Sequence, residues 1–138
     1  MRLLSAASRD TRRPSVNHCG TLVYDHPVTR AMAPDRWCDD GWFFLVHGAM
    51  TFNIETAPAG PELIVRALPS MCMVEMEALL FEVGVGKGVL AVSGLNHAAA
   101  NGRPENDWLI ASLLKHLASG PKPESIWPTS FLATSQQG

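Results

Sequence analysis

The sequence predicts an α/β fold, one sheet with flanking helices, and three observations carry that prediction. Residues 78–85 (ALLFEVGV) and 89–95 (VLAVSGL) are apolar runs of strand length, and Gly86-Lys87-Gly88 between them has the chemistry of a hairpin turn. A β-hairpin is therefore expected over 78–95. Residues 104–118 open with Pro104, Glu105 and Asp107, close with Lys115 and His116, and are stopped by Gly120-Pro121. Those are the marks of one long helix. The chain has 138 residues, 46% of them hydrophobic and 17% charged, enough for one domain with a single core. The same numbers exclude a disordered tail, a coiled coil and a disulfide scaffold.

The remaining elements follow in order. Residues 1–19 lack periodicity and read as a flexible lead-in, so the domain is expected over 20–120. Gly20 to Tyr24 is a short β-branched and aromatic run that ends in the turn Asp25-His26-Pro27. One or two helical turns from His26 to Met32 would then be stopped by Pro34. Cys38 to Gly48 reads as a short helix capped by Asp39 or Asp40, with Trp42, Leu45 and Val46 on one face. Ala49 to Glu55 alternates, with Met50, Phe52 and Ile54 on one side of a strand, and Glu62 to Leu68 is a second alternating strand. The Met-rich stretch Pro69 to Glu77 reads as a loop. From 121 to 138 the chain is a Pro/Ser/Thr-rich tail with Trp127 and Phe131 as isolated apolar anchors.

Charge and motif content exclude several functions. Thirteen acids against eleven bases give a net charge of -2, so no basic field draws the chain to nucleic acid. No run approaches the roughly 20 apolar residues that cross a bilayer, and no signal peptide is legible, so no membrane role is expected and the cytoplasm is the default compartment. Cys19, Cys38 and Cys72 form no CxxC pair, and the five histidines show no HxH or HExxH spacing, so neither a metal site nor a cofactor is expected. GVGKG (84–88) leads into a strand rather than a Ser/Thr and a helix, which makes it a turn and not a phosphate loop. No GxSxG surrounds Ser93, and the acids Asp39 and Asp40 beside Cys38 disfavour its thiolate. No catalytic residue is assigned. The ligand-binding candidates are Asn96 and His97, just past the carboxyl end of a strand, where open α/β sheets bind ligands. To these are added Trp42, whose ring suits stacking on a sugar, and the neighbouring Asp40.

Five segments taken together carry a resemblance. They are GTLVYDHPVTRAM, CDDGWFFLVHGAMTFNIE, PELIVRAL, ALLFEVGVGKGVLAVSGLN and RPENDWLIASLLKHLAS. In this order, over roughly residues 20–120, they resemble the C-terminal accessory region of bacterial glycoside hydrolase family 2-like proteins, and LLFEVGVGKG with the closing helix is the most specific part. The resemblance implies a partial flavodoxin-like unit, akin to class I glutamine amidotransferase-like domains, lying outside the catalytic barrel of the parent enzymes. It passes on no catalytic residue. The chain departs from the pattern at Asp39-Asp40-Gly41 and lacks the first βαβ portion, so the sheet is expected to need a companion.

Three functions compete at this level. The first is a non-catalytic accessory or interaction module whose partner is itself or the remainder of a glycoside hydrolase, with carbohydrate as a possible ligand. The second is a small amidotransferase-like or trehalose-utilisation-like enzyme using the loop at Asn96-His97. The third is a homo-oligomeric structural protein.

Overall fold

A computed structural model describes residues 20–55, 57–68 and 76–133. Its sheet is organised around one strand. β4 (Glu77–Val85) is flanked by β3 (Glu62–Leu68) on one side and by β5 (Gly88–Ser93) on the other. β1 (Gly20–Val23) pairs with β3, and β2 (Phe52–Asn53) pairs with the start of β4. All four of these ladders are antiparallel. β6 (Ile126–Trp127) alone runs parallel to β4, at Gly84 and Val85. The fold is therefore mixed α/β, with a six-stranded mixed sheet and a few helices.

The predicted hairpin forms. Gly86, at φ 59°, begins the turn between β4 and β5, a conformation glycine adopts without a Cβ clash. The predicted long helix is also present as α2 (Pro104–Ala118), with Pro104 in its first turn. The short helical segment is a 3-10 turn over Asp40–Trp42 running into α1 (Phe43–Val46), and the Asp39 side chain accepts from the Gly41 amide at 3.0 Å. Between His26 and Ala33 the chain makes helical turns, with Arg30 N–H to His26 O at 2.9 Å and Ala33 N–H to Thr29 O at 2.8 Å.

Two expectations change. The alternation at Ala49 to Glu55 yields only the two-residue β2, and Met50 is exposed rather than sharing a buried face with Ile54. Its amide donates to Gly94 O at 2.7 Å instead of joining the β4 ladder, which turns the segment away from the sheet. The partial flavodoxin-like unit implied by the resemblance would have a parallel sheet, whereas the pairing here is mostly antiparallel. A two-residue hairpin turn permits nothing else, and the link over 69–76 is shorter than the dozen or more residues a parallel crossover requires. The lead-in over 1–19 and most of the Met-rich loop lie outside the described residues.

Leu80 and Glu82 alternate along β4 with Phe81 and Val83, so the two apolar clusters take opposite faces of the sheet. One contains Ile64, Leu79, Leu80, Trp42, Leu45, Leu95 and Leu109. The other contains Ile54, Phe81, Val83, Trp127 and Phe131, the last on the short α3 (Thr129–Ala133). Trp127 and Phe131, isolated anchors of a tail in the sequence reading, here belong to the core of the sheet. Gly84 N–H donates to Ser125 O at 2.8 Å, and the lack of a side chain at Gly84 lets β6 approach this closely.

Candidate functional site

Glu82 is an acid in an otherwise apolar strand, almost wholly buried, and it points to the side of β4 that α2 covers. Burying a carboxylate is costly unless it is paired and hydrogen-bonded. Two histidines from distant segments supply partners. His116, near the carboxyl end of α2, places Nε2 at 2.8 Å from Glu82 Oε2. His26, in the turn after β1, places Nε2 at 3.7 Å from Glu82 Oε1. The two rings meet edge to face with centroids 4.7 Å apart. One ligand-type atom from each of His26, Glu82 and His116 lies within 4.8 Å of the others.

A fourth group stands at the margin. Glu62 on β3 is the cross-strand neighbour of Glu82, and its Oε1 lies 3.8 Å from His26 Nε2. Carboxylates directly opposite on adjacent strands repel each other. Burial pushes the His26 imidazole below its ordinary pKa, outweighing the Glu82 charge that favours protonation. The ring is thereby biased toward the neutral form that ligates metals.

Tautomers sharpen the chemistry. The Val28 amide donates to His26 Nδ1 at 3.2 Å, so the neutral ring carries its proton on Nε2 and aims it at the carboxylates. A metal ion at Nε2 requires that proton to move to Nδ1, where it faces the Val28 N–H, so that buried amide loses its acceptor at a cost of roughly 1–3 kcal/mol. Two imidazoles and a carboxylate form a donor set used by zinc and by non-haem iron. Histidines that lie far apart in the sequence thus meet in the fold. The available signal was Glu82 itself, a charge inside LLFEVGV.

A second polar relay contains one of the residues singled out from the sequence. His97 Nε2 lies 2.7 Å from Ser93 Oγ, at the end of β5, and His97 Nδ1 lies 2.8 Å from Asn106 Oδ1 on α2. An amide oxygen accepts from Nδ1–H, which leaves Nε2 free to accept the serine proton. The relay has the order nucleophile, base, orienting group. Asn96 is committed elsewhere. Its Nδ2 donates to His47 O at 3.0 Å and its Oδ1 accepts from the Ala99 amide at 3.1 Å, which ties the loop to the end of α1. Trp42 is fully buried among the first cluster, so its ring offers no face to a sugar, while Asp40 is exposed. The four candidates do not converge on one point, and only His97 enters a side-chain relay.

Comparison with known proteins adds a family and no chemistry. A family described as a domain of unknown function (DUF8487) matches residues 7–132. No curated protein matches the chain.

Proposed function

Because the chain belongs to the DUF8487 family, whose description assigns no reaction, we propose a function from its own residues: a non-catalytic accessory module that docks onto a companion α/β segment. The observation that carries this reading is the outer face of α2. Ile110 and Leu114, one helical turn apart, are exposed, although α2 already buries Asn106 and Leu109 against the sheet. Apolar residues on both sides of a helix suit one covered on both sides. β5 adds to this, since among the described residues it pairs on one side only, with β4, and Val89 to Ser93 are all half-buried. An open apolar edge is a surface for further strands. The order of the five segments that resemble the accessory region of glycoside hydrolase family 2-like proteins gives the companion its class. In this reading the companion's strands add to the sheet at β5.

The test is solution behaviour. The isolated chain is expected to self-associate at micromolar concentration or to bind an apolar dye. Ile110→Glu with Leu114→Glu should abolish both, and no chromogenic glycoside should be cleaved. A well-folded monomer that binds no dye would sink the proposal.

The Ser93–His97–Asn106 relay favours a second reading, a small serine-dependent enzyme at the Asn96-His97 loop. There the Ser93 oxygen attacks an acyl carbonyl and its proton passes to His97 Nε2. The leaving group takes that proton, and water then releases the acyl group. A fluorophosphonate probe distinguishes the readings. The enzyme predicts labelling of Ser93 that His97→Gln removes, whereas the accessory module predicts none.

A further inference from the structure

The proposed docking face does not involve the cluster beneath α2, and the two stand or fall separately. We propose that His26, Glu82 and His116 bind one divalent transition-metal ion, with Glu62 as the ligand on the solvent side. Three observations support the site. The three inner side chains are almost completely buried, at 3%, 2% and 11% exposure, and their ligand atoms lie within 4.8 Å of one another. Glu62 and Glu82 are directly opposed on adjacent strands, and the ion pairs that Glu62 and Glu82 make among the described residues are with histidine, not with lysine or arginine. A divalent cation supplies the positive charge that the opposed carboxylates need. The donors also come from β3, β4, the turn after β1, and α2, so one ion would join four segments of the chain.

Zinc is the probe for this donor set, because neutral imidazole and carboxylate suit it and it carries no redox chemistry. The inner ligands are enclosed and Glu62 is half-exposed, an arrangement in which the ion ties elements together and exchanges through the Glu62 side.

The experiment uses the full chain stripped by a chelator, then titrated with zinc. One zinc per chain should bind saturably and raise the melting temperature. Glu82→Gln and His116→Gln should each weaken binding roughly 100-fold or more, Glu62→Gln less, and the exposed His47→Gln not at all. Absence of saturable binding overturns the proposal, and so does equal affinity in Glu82→Gln and the parent chain. Should the buried variants fail to fold, nitrogen NMR of the unsubstituted protein decides. Zinc should move the His26 and His116 ring protons from Nε2 to Nδ1, and rings unchanged at saturating zinc refute the site.

Discussion

Asp25 has two guanidinium neighbours, with Arg30 Nε 2.9 Å from Oδ1 and Arg36 Nη2 3.9 Å from Oδ2. The Arg30 hydrogen bond, followed by its charge, holds the Asp25 carboxyl below the usual aspartate value. A carboxyl whose pKa is lower in the folded than in the unfolded chain stabilises the fold above the unfolded pKa. That contribution disappears as pH falls through the folded value. Asp25→Asn should therefore reduce stability at neutral pH, with the difference from the parent chain closing in acid and shrinking at high salt. Urea titrations at pH 7 and pH 2 measure this. Desolvation of the sulfur raises the Cys38 thiol pKa, against a hydrogen bond with Thr21 that lowers it, and the Asp39 charge adds to the rise. The residue-scale feature that sequence pattern did not disclose is the meeting of His26, Glu82 and His116. Glu82 and His116 are 34 positions apart, and no local periodicity encodes which turn of a helix will land above which strand residue.

Elements set by short-range chemistry were legible. Gly86-Lys87 between two apolar runs specifies the hairpin, and Pro104 with its acids specifies the start of α2, because each signal lies within a few residues of what it determines. β2 was overestimated because alternation reports a pleat only where a partner strand continues, and β4 offers Phe52 and Asn53 only Ala78 and Glu77. Gly94 shows what replaces the missing ladder. A Cβ there would come within 1.9 Å of Met50 O, so the glycine permits two backbones to touch where Met50 donates to it. Gly94→Ala should force them apart and destabilise the chain by about 3 kcal/mol, the upper end for overpacking. Thermal unfolding followed by circular dichroism checks this, with NMR signals disturbed from Ser93, at the end of β5, to Asn96.

At the scale of the whole molecule, the sheet carries a core on each face, and the two are covered differently. Helices cover the first, whereas the face holding Phe81 and Val83 is closed by the segment that reads in sequence as a Pro/Ser/Thr-rich tail. Trp127 is fully buried there, beside Phe81 and Phe131, and its indole N–H donates to Ala59 O at 2.8 Å. Trp127→Ala should cost about 3–5 kcal/mol, measured by denaturant titration, because it leaves a cavity and an unpaired carbonyl. Composition hid this role. Proline and serine around one tryptophan look like a linker until the strand that receives it is known.

The contact at Gly84 has a consequence for how this closing segment holds. A methyl group there would stand 3.1 Å from Ile126 Cγ1 and 3.2 Å from Ser125 O, a wedge between the central strand and the last one. One missing side chain thus lets the final stretch act as a clasp. Any larger residue at that position would turn it into a loose end, leaving the aromatic face of the sheet open to water.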